Sequence, residues 1–244
     1  MSTRADIALV TRGLVADRDR ARRLIMAGRV RRGADHVVKK PNEEIPDAAP
    51  LSVDERCPYV SRGAYKLLPA LERWLPCVDG MTALDIGAST GGFTDLLLQR
   101  GARRVYAVDA GHGQLHYRLR QDPRVICLEK VNARRLDASH ISEPVDLITA
   151  DVSFISLRTV LPPASRFLTA RGWVFALVKP QFEARRIEVG AGGVVRDEAV
   201  RSRCVEEIAS FATETLGWQR IDVLPSPVKG RNGNQEIMTV FRAG

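Results

Sequence analysis

Cysteine is sparse in this sequence, and the four present, Cys57, Cys77, Cys127 and Cys204, form no CxxC pair. Their scatter excludes a disulfide framework and a thiolate metal centre, and fits free thiols in a reducing compartment. Long apolar runs are missing as well. No stretch reaches the roughly 20 residues of a membrane-spanning helix, and the opening MSTRADIALV has no apolar signal-peptide core. A cytoplasmic protein with no membrane partner is therefore expected. His36, His112, His116 and His140 share no motif, so surface or loop roles and no metal site are expected of them. Internal repeats and low-complexity tracts are also lacking.

What is present is a basic chain of 244 residues, 45% hydrophobic, with net charge +8. That length accommodates one large domain and one small one. Positive charge favours a polyanionic partner, and its placement is more telling than its total. Residues 1–40 hold eleven Lys and Arg against four Asp and Glu, a balance of +7, whereas residues 41–55 hold five acids and no base. Two short helices are expected first, Asp6–Arg12 and Arg18–Ala27, the second capped by Asp17 and ended by Gly28. Strand-like runs follow at Arg29–Arg32 and His36–Lys40, around a turn at Gly33. The segment Pro41–Pro58, with four prolines and many acids, reads as a linker or the outer edge of a small domain. The expected domains are thus 1–58 and 59–244.

Downstream, strand and helix alternate. Strands are expected at Thr82–Ile86, Arg104–Val108, Val125–Leu128, Val145–Ala150, Trp173–Val178, Gln219–Val223 and Glu236–Phe241. Helices fit at Ala64–Leu75, Phe93–Arg100, Leu115–Arg120, Ser156–Leu168 and Asp197–Leu216, with Pro162 and Pro163 bending the fourth. Continuous apolar strands between helices predict an α/β fold with a mostly parallel, doubly wound sheet.

The sharpest local signal is Leu84-Asp85-Ile86-Gly87-Ala88-Ser89-Thr90-Gly91-Gly92-Phe93, at the first strand-to-helix turn. Ligands of open α/β sheets bind outside the carboxyl ends of the strands, and glycines there allow close backbone approach. Asp109 ends the next strand, 24 residues after Asp85, where a carboxylate can accept from both hydroxyls of an adenosine ribose. The loop is neither GxGxxG nor a P-loop. Asn132, beyond the third strand, either meets an adenine amino group or is a simple turn residue.

Together these segments resemble the TlyA (hemolysin A) group of FtsJ-type ribosomal RNA methyltransferases. The resemblance rests on the Arg-rich start, on Ser61-Arg62-Gly63-Ala64-Tyr65-Lys66-Leu67, on the loop Asp85–Phe93 and on Asp151-Val152-Ser153-Phe154-Ile155-Ser156-Leu157. It continues through Lys179-Pro180-Gln181-Phe182-Glu183, Gly192-Gly193-Val194-Val195-Arg196-Asp197 and Gly233-Asn234-Gln235-Glu236. It departs at Ala191, where a lysine is expected, and in Arg56–Val60, which lacks an expected tryptophan. The resemblance implies a class I, Rossmann-like methyltransferase fold preceded by an S4-like RNA-binding domain. It implies S-adenosylmethionine as methyl donor and a ribose 2′-hydroxyl in ribosomal RNA or ribosomal subunits as acceptor, with cytidine the expected nucleoside. It also implies a catalytic tetrad, here Lys66, Asp151, Lys179 and Glu236. The cofactor-binding residues would be Asp85, Gly87, Ser89, Thr90, Gly91, Gly92, Phe93, Asp109, Asn132 and Asp151. RNA contacts would come from Arg4, Arg18, Arg20, Arg22, Arg23, Arg29, Arg31, Arg32 and Arg62.

Those residue types suit the reaction. A ribose hydroxyl is a weak acid that must lose its proton as it attacks a sulfonium methyl. A lysine assists if its pKa is lowered or if its charge stabilises the growing alkoxide. Two neighbouring lysines are expected to depress one another, with Asp and Glu holding and tuning them. Lys179 is expected nearest the hydroxyl. Phe154 is read either as a base-stacking residue or as a core or lid aromatic. Each charged residue alone reads as a solvated charge. The arginines read either as a solvated face or, given the hairpin context and the +7 balance, as RNA phosphate contacts, the reading preferred here. Two rival functions stand beside the enzyme: a non-catalytic RNA-binding or ribosome-assembly factor, and a membrane-active hemolysin.

Overall fold

Strands whose successive residues are all apolar must be covered on both faces, and the larger part of the chain is built that way. The computed structural model describes residues 2–26, 28–33, 36–53 and 57–244 and divides into two compact units, Met1–Pro58 and Tyr59–Gly244. In the larger unit, α3 (Ala64–Trp74) is followed by β6 (Thr82–Ile86), α4 (Gly92–Gln99), β7 (Arg104–Asp109), α5 (Tyr117–Arg120), β8 (Val125–Glu129) and β9 (Val145–Ala150), counting the elements of the smaller unit first. Next come α6 (Leu157–Ser165), β10 (Leu168–Val178), α7 (Pro180–Glu183), α8 (Glu198–Leu216), β11 (Trp218–Pro225) and β12 (Ile237–Ala243). The sheet order is β11-β12-β10-β9-β6-β7-β8, parallel throughout except that β12 runs antiparallel to β10 and β11.

Alternate residues serve opposite faces. Leu84, Ile86, Ile148, Ala150, Val174 and Ala176 pack with α6 and α8 residues such as Leu161 and Ile208. Ala83, Leu147, Phe175 and Leu177 pack with Leu67 and Leu71 of α3 and Leu96 and Leu97 of α4. From β6 the chain runs outward to β7 and β8, then returns to β9 on the other side of β6. The sheet therefore reverses direction between β6 and β9, and a crevice opens at such a switch point.

Several boundaries differ from expectation. The helix read as Ser156–Leu168 stops at Ser165, after Pro162 and Pro163, and Leu168 already pairs with Val145 as the start of β10. Proline removes the amide that a continuing helix needs. Glu236 lies just outside β12 rather than within a strand.

The smaller unit contains β1 (Ser2–Arg4), α1 (Ala5–Thr11), α2 (Arg18–Met26), β2 (Val30–Arg32), β3 (His36–Val37), β4 (Glu44–Pro46) and β5 (Leu51–Val53). β3-β2-β5 form one antiparallel sheet and β1-β4 a second. Leu9, Ile25, Val30 and Ile45 fill its own core. Residues 41–53, which supply β4 and β5, are thus part of this unit and not a free linker. Ala27 and residues 54–56, which belong to expected helix and linker segments, lie outside the described residues. No helix among the described residues is long and apolar enough to cross a membrane.

Candidate active site

The loop after β6 owes its path to glycine. Gly87 has φ +82°, and a Cβ on it would lie 2.6 Å from the Asp151 carbonyl oxygen. Only a bare backbone lets the ends of β6 and β9 approach this closely. Gly91 plays a different part from the one expected. Its φ is +94°, and a Cβ there would run into the Leu119 and Leu115 side chains, not into ligand space. Gly92 faces Ser61 and the backbone of Ala64, and Phe93 is buried in the core.

Asp85 is fully buried beneath this loop. It accepts from the Thr94 hydroxyl at 2.7 Å and the Thr149 hydroxyl at 2.9 Å. Burial raises its carboxyl to about 6, against the pull of those two hydroxyls. Asp109 ties two loops together, with Oδ2 accepting from Ser89 N and Oδ1 from Gly111 N, both at 2.7 Å. A carboxylate has about four acceptor positions, so acceptor capacity remains for a ribose diol. Asn132 Oδ1 accepts from Arg134 N at 3.1 Å, which caps the short 3-10 helix Ala133–Arg135. The turn role is therefore filled, and Asn132 also lines the cavity described next.

Two cavities meet at the switch point. One, of about 460 Å³, is lined by Gly87, Asp109, Gln114, Asn132 and Phe154. The other, of about 330 Å³, is lined by Thr90, Gly92, Lys66, Asp85 and Lys179. They share Gly87, Ser89, Asp151 and Ser153. The residues fit an adenosyl cofactor: spare acceptor capacity at Asp109 for a ribose diol, beside apolar side chains at Val108 and Val131. Glu129 fixes the loop that carries Gln114 by accepting from the amides of Gly113 and Gln114 at 2.9 and 3.0 Å. Those backbone donors, with Arg120, hold its carboxyl down at about 2 despite desolvation.

The four residues that the sequence singles out come from four elements and converge beside the shared wall. Lys66 is in the first turn of α3, Asp151 follows β9, Lys179 follows β10 and Glu236 precedes β12. Val178 pairs with Ile237, which sets Lys179 and Glu236 side by side. Asp151 meets both lysines, Oδ1 to Lys179 Nζ at 2.6 Å and Oδ2 to Lys66 Nζ at 3.3 Å. Glu236 Oε2 lies 2.8 Å from Lys66 Nζ. Asp151 Oδ1 and Glu236 Oε2 face the ammonium groups at ion-pair distance but outside hydrogen-bond alignment. Lys179 Nζ also donates to Ser153 Oγ at 2.9 Å.

Buried charges persist only when paired, and here two lysines face two carboxylates. Desolvation pulls Lys66 down, yet Asp151 and Glu236 outweigh it, and its pKa rises above the ordinary lysine value. Mutual depression of the two lysines therefore fails at Lys66. Sequence reasoning misses Ser153, two residues beyond Asp151, as a partner of Lys179; its only signal is a hydroxyl near a strand-end carboxylate. It misses Gln114 too, because a loop glutamine carries no pattern. Phe154 has φ +63°, is 80% exposed and lies 5.0 Å from the Phe182 ring, so it is not a core aromatic. Arg62 is exposed just ahead of α3.

In the smaller unit Arg18, Arg20, Arg22, Arg23 and Arg31 are exposed, and Arg4, Arg29 and Arg32 are half-buried. Arg4, Arg18 and Arg22 all reach Asp6.

A Rossmann-like sheet with a carboxylate-bearing loop at its switch point is the arrangement in which open α/β folds bind nucleotide cofactors. The FtsJ-like methyltransferase family model matches residues 59–243, and the chain belongs to that family. It is 48% identical over 241 residues to the 16S/23S rRNA (cytidine-2′-O)-methyltransferase TlyA of Mycobacterium tuberculosis, covering 98% of this chain and 89% of the relative. It is 37% identical to Hemolysin A of Brachyspira hyodysenteriae, covering 98% of this chain and 99% of the relative. A solved structure of a candidate hemolysin from Streptococcus thermophilus superposes with TM-score 0.75 at 40% identity, covering 99% of this chain and 88% of that one.

Proposed function

We propose that this chain transfers a methyl group from S-adenosylmethionine to the 2′-hydroxyl of a ribose, that of a cytidine, in ribosomal RNA. The observation that carries the reading is the four-residue cluster Lys66–Asp151–Lys179–Glu236 against the wall shared by the two cavities. The M. tuberculosis relative bears the name of a cytidine-2′-O enzyme, which supports the same substrate. When bound, S-adenosylmethionine supplies an electrophilic methyl on a sulfonium.

The chain's residues do the rest. Asp109 and the backbone of Gly87–Thr90 would hold the adenosyl end, with Asn132 and Gln114 on the adenine side. Lys179, in its neutral amine form, accepts the hydroxyl proton at Nζ as the oxygen's electron pair forms the bond to the methyl carbon and the carbon–sulfur bond breaks, its electron pair staying on sulfur. Asp151 and Ser153 aim that Nζ. Lys66, kept charged by its two carboxylates, stabilises the growing negative charge on the oxygen. Phe154, exposed beside the cavity, stacks on the acceptor base. The smaller unit is an S4-like module whose arginines grip RNA phosphates, and ribosomal subunits in the cytoplasm are the partner.

The test is transfer of labelled methyl to purified ribosomal subunits, followed by alkaline hydrolysis. A 2′-O-methyl blocks attack on the neighbouring phosphate, so the label is expected in alkali-resistant dinucleotides. Label in mononucleotides would mean base methylation, and no label would favour a non-catalytic RNA-binding factor.

A further inference from the structure

The arginines of the smaller unit do not form an even basic face. Three of them converge on one carboxylate. Asp6, in the first turn of α1, is fully buried. Arg4 donates to it twice, Nε to Oδ1 at 3.1 Å and Nη2 to Oδ2 at 3.2 Å. Arg18 Nη2 reaches Oδ2 at 2.9 Å, and Arg22 Nε reaches the same oxygen at 3.3 Å.

One guanidinium in a two-pronged pair would balance the charge of a buried carboxylate. Three leave an excess of positive charge fixed in place. Asp19, 3.9 Å from Arg22 Nη1, and Glu44, which acts on Arg4, offset it only in part. The three side chains remain 42%, 49% and 48% exposed. Each turns one edge to Asp6 and keeps further N–H donors, with Arg22 Nη1 lying toward Asp19. Arg18 and Arg22 stand four residues apart and so share one face of α2, while Arg4 ends β1.

We propose that Asp6 is a positioning residue: it holds Arg4, Arg18 and Arg22 as one preformed site for RNA backbone phosphate. Long arginines lose rotamer freedom when they bind, and here that ordering accompanies folding instead. The inference rests on the RNA-binding reading of this unit. It opposes the simplest electrostatic expectation. Neutralising Asp6 adds net positive charge, which by charge alone tightens RNA binding. If Asp6 instead sequesters the arginines, its removal would also tighten binding. Positioning requires the reverse.

The experiment is filter binding of in-vitro-transcribed 23S rRNA to the full-length chain across a salt series, with folding checked by thermal melts. Asp6→Asn is expected to bind about tenfold more weakly, the scale of one lost charge-assisted hydrogen bond. The double variant Arg18→Lys, Arg22→Lys keeps the charge and loses the guanidinium geometry, and is expected to lose a similar factor. Equal or tighter binding by folded Asp6→Asn overturns the proposal. If Asp6→Asn does not fold, undiminished binding by the double lysine variant overturns it. Arg20→Glu, Arg23→Glu, Arg31→Glu, away from Asp6, tests the underlying reading separately. Loss there with no loss in the other variants removes positioning alone. Wild-type binding in that triple variant removes RNA binding by this unit and the proposal with it.

Discussion

Asp85 sits under the cofactor loop with no exposed surface, and its carboxyl is raised to about 6. A folded-state value above the unfolded one means that the protonated form is favoured in the fold. The stabilisation is present below the unfolded pKa near 4 and is lost as pH rises through about 6. Asp85→Asn keeps a hydrogen-bonding amide without the charge. Its melting temperature relative to the parent is therefore expected to rise between pH 4 and pH 7, as measured by calorimetry. A flat difference over that window would show that Asp85 stays ionised throughout. At this scale the convergence of Lys66, Asp151, Lys179 and Glu236 is legible, because the family resemblance singles out those four residues by their motifs, and the fold brings them together. Ser153 and Asp6 were not legible. Their roles depend on which side chains the fold brings to them, at sequence separations of 26 for Lys179 and up to 16 for the arginines.

Among elements, β6 and β9 matter most, since their ends carry the loop and Asp151. Gly87→Ala would set a Cβ 2.6 Å from the Asp151 carbonyl at φ +82°. Both contact and strain act, so about 1–3 kcal/mol of stability is expected to be lost. Displaced Asp151 should also slow methyl transfer more than it weakens S-adenosylmethionine binding, which calorimetry and single-turnover rates would separate. Full activity in a folded Gly87→Ala variant would mean that the close approach is unnecessary. The buried parallel strands were legible because apolar runs between helical patterns have few other readings. β1, β4 and β5 were not. Each has three residues, and β4 and β5 fall in a proline- and acid-rich stretch, so backbone pairing with β1 and β2 defines them rather than any pattern of their own.

For the whole molecule, the division into two units predicts separable functions. Reversing Arg20, Arg22 and Arg23 to Glu should weaken rRNA binding and flatten its salt dependence, since fewer counterions are released. S-adenosylmethionine affinity should hold, because every residue proposed to hold the adenosyl group belongs to Tyr59–Gly244. An unchanged salt slope in filter binding would contradict this division of labour. The measurement that bears most directly on the whole account is the single-turnover rate of methyl transfer to ribosomal subunits by the parent, Lys179→Ala and Lys179→Arg. Lys179 Nζ lies 2.6 Å from Asp151 and 2.9 Å from Ser153. If it takes the hydroxyl proton, Ala should cost ~10²–10⁴-fold, with little change in cofactor or RNA affinity. Arg should not rescue, because a guanidinium stays protonated. Near-parental turnover in Lys179→Ala would remove Lys179 from the chemistry and the tetrad with it.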